Sequence, residues 1–289
     1  MAAGKAAVVA SVRERKEPMS ANPQTGRRNS GKYWKKVVWY SWLPVLVLAA
    51  AWLISANSTA FYFPPAQTVF AKTADIWFFD GIISDMLPSL GRLVLGFTLA
   101  VVIGVLLGLL LGRFKTAEVA ARPITEVVRA MPGVALLPIA MMFFGTGEAM
   151  KLVMIIFISM WPIVLNTIEG VRSIEPTLHS VRASFRLKPM DNFRFVFLPA
   201  AMPQVFAGAR TSLAISVAVM VAVEMFGTPG GLGYFIRNAQ QTFRIIDMWT
   251  GLLVLGIFGY LLNVGFRTLE GRVLRWHHNM VKHQQGGSS

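Results

Sequence analysis

Six charged residues lie inside or at the edges of long apolar blocks: Arg92, Glu126, Arg129, Glu169, Arg210 and Glu224. An ionised side chain at the centre of an apolar helix costs about 2.5–3.5 kcal/mol on insertion scales. Such a residue persists where it pairs, reaches water along its own stem, or meets a solute. Glu126 and Arg129 are spaced to pair on one helix face. Pro132 follows Arg129 and frees backbone carbonyls beside it, which makes Arg129 a candidate for a solute path. Arg210 and Glu224 bracket a segment with Thr211, Ser212 and Ser216. Small hydroxyls on one face suit contact with water or solute, and they equally suit bonds to the carbonyls of their own helix. With Met142 these give the candidate pathway residues Arg129, Met142, Ser212, Ser216 and Glu224.

Other chemistries find no residues to carry them. No Walker A sequence is present, and Gly230-Gly231-Leu232-Gly233 lacks the Lys-Ser/Thr ending that a phosphate loop requires. It reads as a turn. There is no cysteine, hence no thiolate ligand and no disulfide. His277, His278 and His283 crowd a basic tail and His179 stands apart, so no metal site is expected. No nucleophile–base arrangement can be drawn, and no catalytic residue is assigned.

The elements that position these residues are membrane spans. Of the 289 residues, 54% are hydrophobic and 15% charged, against about 25% charged in soluble chains. A spanning helix needs about 20 mostly apolar residues. Six segments qualify: Val37–Ser55, Ser89–Gly112, Glu126–Phe144, Lys151–Thr167, Val205–Phe226 and Met248–Phe266. The third holds Pro132 and Pro138 and should be kinked or broken. The sequence thus reads as an all-α, polytopic membrane protein of about six transmembrane helices.

Lysine and arginine set the orientation. With both termini in the cytoplasm, the inside segments hold Arg27, Arg28, Lys35, Lys36, Arg113, Lys115, Arg122, Arg182, Arg186, Lys188, Arg272 and Arg275 among others, and the outside segments only Lys72, Lys151, Arg237 and Arg244. This distribution accounts for the net charge of +14 without any nucleic-acid partner; the basic loops meet anionic membrane lipid instead. Residues 1–34 read as a disordered basic cytoplasmic arm, in which Met19 offers an alternative start. Residues 35–276 form the membrane domain and 277–289 a cytoplasmic tail. A short surface helix is expected over Gly231–Phe243, on the outside.

Two further patterns point to packing and docking. Gly96, Ala100, Gly104, Gly108 and Gly112 recur every fourth residue and form a small-residue ridge, fit for close helix packing within the subunit or at a subunit interface. The stretch 169–201 carries Pro176, Pro189 and Pro199 with Phe193, Phe195 and Phe197. A solvated loop does not need such aromatics, whereas a short amphipathic helix that docks on another protein does.

Several blocks in order resemble the permease subunits of ATP-binding-cassette importers for taurine, alkanesulfonates, nitrate and bicarbonate. They include Pro64-Pro65, Ser89-Leu90-Gly91-Arg92, Arg129-Ala130-Met131-Pro132, Phe144-Gly145-Thr146-Gly147-Glu148, Leu198-Pro199-Ala200-Ala201, Val223-Glu224-Met225 and Gly231-Leu232-Gly233-Tyr234. The resemblance implies the type I importer permease fold in a bacterial inner membrane. It implies a pathway for a small anionic solute brought by an extracytoplasmic binding protein. It also implies a second permease subunit, identical or paralogous, and separate ATPase subunits that bind the ATP and magnesium, with no cofactor in this chain. The ATPase-coupling residues would be Ser184, Arg186, Lys188, Pro189, Asp191, Asn192 and Phe193. The motif departs from the family at Ser180, Val181, Arg182 and Arg186. A secondary transporter or channel is the competing reading; it would need ionisable groups near mid-membrane and no docking loop.

Overall fold

A computed structural model describes residues 42–43, 45–47, 49–50, 52–56, 58–78, 80–173, 191 and 198–276. The expected arm over 1–34, the tail over 277–289 and the coupling residues Ser184, Arg186, Lys188, Pro189, Asn192 and Phe193 lie outside the described residues. Only part of the first expected span is described, as an apolar helix over Val45–Ala56. The chain divides into a unit ending at Ile54 and a larger unit from Ser55 onward. In the first unit Leu53 and Ile54 present their side chains outward.

The larger unit is built of eight α-helices among the described residues: α1 (Ala66–Trp77), α2 (Leu87–Arg113), α3 (Lys115–Ala130), α4 (Leu137–Phe144), α5 (Glu148–Arg172), α6 (Leu198–Phe226), α7 (Leu232–Gln241) and α8 (Ile245–Val273). With the π turn Ile82–Met86 that leads into α2, four helices are long and apolar enough to cross a membrane: Ile82–Arg113, Glu148–Arg172, Leu198–Phe226 and Ile245–Val273. Each runs beyond the apolar window read from the sequence, since backbone hydrogen bonding continues through polar residues at the helix ends. The third expected span is two helices, α3 and α4, bent by 95°. Its bend follows from Pro132 and Pro138, which remove two amide donors and hold the chain extended at Met131 and Pro132 before the 3-10 turn Gly133–Leu136. The helix begins at Lys115, in a stretch expected to be loop. Helix α1 has no counterpart in the sequence reading.

The glycine ridge decides how the long helices meet. A Cβ on Gly96 would stand 2.6 Å from Ile155, one on Gly104 2.9 Å from Ile163, one on Gly108 2.5 Å from Thr167 and one on Gly112 2.9 Å from Val171. The ridge is therefore the seam between α2 and α5 of the same subunit. Partner numbers rise together, so the two helices run parallel. In contrast, Gly170 lies against Gln204, Gly208 against Asn166 and Gly227 against Lys151, so α6 runs antiparallel to α5. Leu93, Ile155, Ile163 and Met220 fill the interior. In a bilayer such contacts stabilise through close packing rather than through escape from water. The indole Nε1–H of Trp77 bonds Thr250 Oγ1 at 3.1 Å, and its ring meets Phe235 edge-on, which ties α1 to α7 and α8.

Candidate functional site

Two sites hold the residues of chemical interest. The first is a charge network where α2, α5, α6 and α7 converge. The π turn Ile82–Met86 runs straight into α2, whose first turn holds Pro88, and Asp85 and Ser89 lie one turn apart facing the 227–233 segment. The amide of Gly231 donates to Asp85 Oδ1 at 3.2 Å and that of Leu232 to Ser89 Oγ at 2.9 Å. Glu224 is fully buried and accepts from Gly233 N at 3.0 Å, so a carboxylate stands at the positive N-terminus of α7. Arg92 supplies its counter-charge through Nη1 at 2.7 Å. The Ser89 hydroxyl is 2.8 Å from Glu224 Oε1 and 3.0 Å from the Asp85 carbonyl, either of which can take its single proton. Gly231, at φ 108°, must be glycine twice over: the backbone is left-handed, and a Cβ would sit 2.5 Å from the Glu224 carboxyl carbon.

The other edge of Arg92 turns to Glu148, with Nε–Oε2 at 2.6 Å and Nη2–Oε1 at 2.9 Å. Lys151, wholly buried, donates to Glu148 Oε1 at 3.0 Å and to the Thr228 carbonyl at 3.1 Å. Among the described residues every charge in this network is paired or hydrogen-bonded, as burial requires. The sequence singled out Arg92 and Glu224. It missed Lys151, Glu148, Ser89 and Asp85 as one cluster, because the pair Asp85–Ser89, the pair Glu148–Lys151 and Glu224 are far apart along the chain. The Pro88 start of α2 and the glycines at 230, 231 and 233 were the available signals.

The second site is an open cavity of about 370 Å³ against the middle of α5. Arg129, Met131 and Gly133 line it from the break between α3 and α4, and Phe157, Trp161 and Asn166 line it from α5. Pro162 removes an amide donor here, and the Asn166 side-chain amide bonds the Pro162 carbonyl at 2.8 Å. The indole Nε1–H of Trp161 is buried and has no partner among the described residues. Arg129 is exposed at the rim and forms no ion pair among the described residues, the spacing to Glu126 notwithstanding.

The remaining sequence candidates separate. Met142 is 86% exposed on α4, beside the likewise exposed Phe143. Ser212 and Ser216 are fully buried in the α5–α6 seam, where Ser212 Oγ donates to the Ser159 carbonyl at 2.5 Å and Ser216 Oγ lies 2.7 Å from Ser159 Oγ. Of the two readings the sequence left open, these hydroxyls take the helix-bonded one: they face α5, and Ser216 Oγ also lies 2.8 Å from the Ser212 carbonyl of its own helix. Arg210 pairs with Glu270 of α8. Asp191, the described residue of the coupling set, is helical and half-buried. The helix expected over Gly231–Phe243 is α7, and it buries Leu232, Ile236 and Ala239 instead of lying on the surface.

Residues 100–275 match the family described as binding-protein-dependent transport system inner membrane component. The chain belongs to that family. It is a permease subunit of the ATP-binding-cassette importers. It is similar to the nitrate import permease protein NrtB of Synechocystis sp., at 31% identity over 80% of this chain and 87% of the relative. The taurine transport system permease protein TauC of Escherichia coli is 29% identical over 75% of this chain and 80% of its own length. The bicarbonate transport system permease protein CmpB of Synechococcus elongatus is 28% identical over 87% and 96%. Among solved structures the fold is similar to inward-facing conformations of the MetNI methionine transporter, with a TM-score of 0.56 at 22% identity, covering 66% of this chain and 93% of that one. This permease fold also agrees with an amino acid transporter crystallised with histidines, at a TM-score of 0.52.

Proposed function

We propose that this permease lines a pathway for a small anionic solute, with the Arg129 cavity as the place where the solute is held within the membrane. The observation that carries the reading is the cavity itself: among the described residues, its rim holds a guanidinium without a carboxylate partner and its wall an unpartnered indole N–H, halfway along α5. A buried donor without an acceptor costs about 1–3 kcal/mol, which a bound oxyanion would recover. Two of the relatives are named for small anions, nitrate and bicarbonate, and a third for taurine, which bears a sulfonate.

The pathway is completed by a second permease, identical or paralogous, for which the exposed apolar side chains Ile139, Met142 and Phe143 of α4 offer a face. This chain carries no catalytic residue. Separate ATPase subunits hold the ATP and magnesium and engage the segment Arg186–Phe193, and an extracytoplasmic binding protein delivers the solute. Both termini lie in the cytoplasm of the inner membrane, as the lysine and arginine distribution supports. Residues 1–34 are a basic arm, and 277–289 a tail.

The test is uptake into proteoliposomes that contain the permease, its ATPase and the binding protein. Arg129→Gln is expected to lower solute transport at least tenfold, the loss of about 1.4 kcal/mol, while ATP hydrolysis without solute stays unchanged. Full transport with the wild-type concentration dependence would reject the cavity. A cysteine at Asp191 is expected to crosslink to the ATPase in membranes; crosslinking confined to lipid would reject the coupling segment.

A further inference from the structure

We infer that Arg92 and Lys151 form an anion-binding subsite, occupied in this structure by the chain's own Glu148 carboxylate and open to exchange with a small free oxyanion. The two carboxylates around these cations are not equivalent. Glu224 is fully buried and is fixed by Arg92, Ser89 and the amide of Gly233. Glu148 is 55% exposed, and among the described residues its side chain is held by the two cations alone. Asp85 faces the Gly231 amide and the Ser84 hydroxyl and pairs with neither cation. Glu224 therefore balances one of the two positive charges, and the second depends on a group that water already reaches.

The donors are arranged for a ligand with two oxygens at carboxylate spacing. Nε and Nη2 of Arg92 present the planar fork that binds carboxylate, nitrate, bicarbonate or sulfonate oxygens in parallel. The Lys151 ammonium adds a third donor to one of those oxygens. Glu148 opens α5, so the occupying anion also sits at the positive end of a 25-residue helix. Beside it the positions a Cβ would take on Gly145 and Gly147 have nothing within 4 Å, which leaves room for the carboxylate to swing out and for a ligand to come in. In the exchange Glu148 moves into water, where its charge is readily solvated, and the arriving anion accepts the three N–H bonds.

The site is distinct from the Arg129 cavity, and the test reads binding without transport, so the failure of either leaves the other standing. In the purified permease–ATPase complex, Glu148→Gln removes the resident anion and should lower the melting temperature. At constant ionic strength, replacing chloride with nitrate or methanesulfonate should restore it. The half-effect is expected at roughly one-tenth of the concentration that acts on the wild type, a difference of about 1.4 kcal/mol. Glu118→Gln, which opens the exposed Arg172–Glu118 pair elsewhere, should show no such rescue. A second variant does not depend on melting. The chain has no cysteine, so Glu148→Cys gives this chain a single thiol, and its labelling is read on the permease band. A sulfonate-bearing thiol reagent should modify it faster than an ammonium-bearing one, and nitrate should slow that reaction. A Glu148→Gln complex indifferent to oxyanions, equal rescue of Glu118→Gln, or equal labelling by both reagents would overturn the subsite.

Discussion

Gly108 stands against Thr167 along the α2–α5 seam, and one turn earlier Gly104 stands against Ile163. Because the partner numbers rise in step, α2 and α5 start from the same face of the subunit. The chain between them must return across it. Contacts along the broken pair trace that return: Glu118 pairs with Arg172 at one end, a Cβ on Gly133 would meet Ile158 midway, and Thr146 accepts the Thr228 amide at the other end. The pair α3 and α4 thus crosses from end to end despite its 95° bend.

Single cysteines in this cysteine-free chain can test the crossing in intact cells with a membrane-impermeant thiol reagent. Cysteines at Thr146 and Thr228 should be labelled from the same side, and one at Thr116 only from the other. Labelling of Thr116 and Thr146 from one side would make the bend a re-entrant loop and would reverse the orientation of every helix after it.

The same seam predicts which glycines tolerate a methyl group. Gly108→Ala puts a Cβ 2.5 Å from Thr167 Cβ, with the Val164 carbonyl at 2.9 Å, so backbone must move. Overpacking of this kind costs about 1–3 kcal/mol. Gly91 lies on the same helix with nothing within 4 Å, and Gly91→Ala should be neutral or stabilising. Melting temperatures of the two variants in one detergent would separate them. Equal stability would mean that the helices part freely at Gly108.

Much of this architecture was legible in the sequence, for physical reasons that also mark where the reading stops. The four-residue recurrence from Gly96 to Gly112 fixes a ridge because it follows the helical period, but only the structure shows that Ile155, Ile163 and Thr167 fill it. Pro132 and Pro138 announced a break, since each removes a donor; that α3 begins already at Lys115 was hidden by its polar residues. The sequence places Lys151 at the outer end of the fourth span and gives no sign that its side chain is buried. Its neighbours Glu148 and Thr228 satisfy it, and Thr228 is distant in sequence. Ser212 and Ser216 illustrate a limit of composition: a small hydroxyl on an apolar helix fits a solute path and a tight seam equally well.

Ser212 and Arg129 should now separate by experiment. Ser212→Ala loses a bond to the Ser159 carbonyl but keeps the packing volume, so stability should fall by about 0.5–1.5 kcal/mol. The solute concentration that half-saturates transport should not change, because the hydroxyl faces a helix. Arg129→Gln should do the reverse, altering transport with little effect on melting, since its side chain is exposed and forms no ion pair among the described residues. A shift in solute dependence for Ser212→Ala would return that residue to the pathway.

Glu224 provides the most demanding prediction, because its charge is balanced from three directions. Its carboxylate answers Arg92, the Ser89 hydroxyl and the Gly233 amide, and it is fully buried. Removing one member of a buried ion pair leaves the other charge uncompensated and costs about 3–5 kcal/mol. Glu224→Ala should therefore destabilise strongly, and the damage should concentrate where the carboxylate holds the 227–233 segment and the start of α7. Hydrogen exchange at Leu232 and Gly233 should rise well before exchange along the Gly104–Ile163 seam does. Glu224→Gln keeps the shape and an acceptor oxygen but not the charge, and should fall between wild type and alanine. A double variant that removes both charges, Glu224→Gln with Arg92→Gln, should recover part of the loss if the pair is the cause. If the double variant is no more stable than Glu224→Gln alone, the carboxylate acts chiefly as the cap of α7, and Arg92 is bound to Glu148 rather than to Glu224.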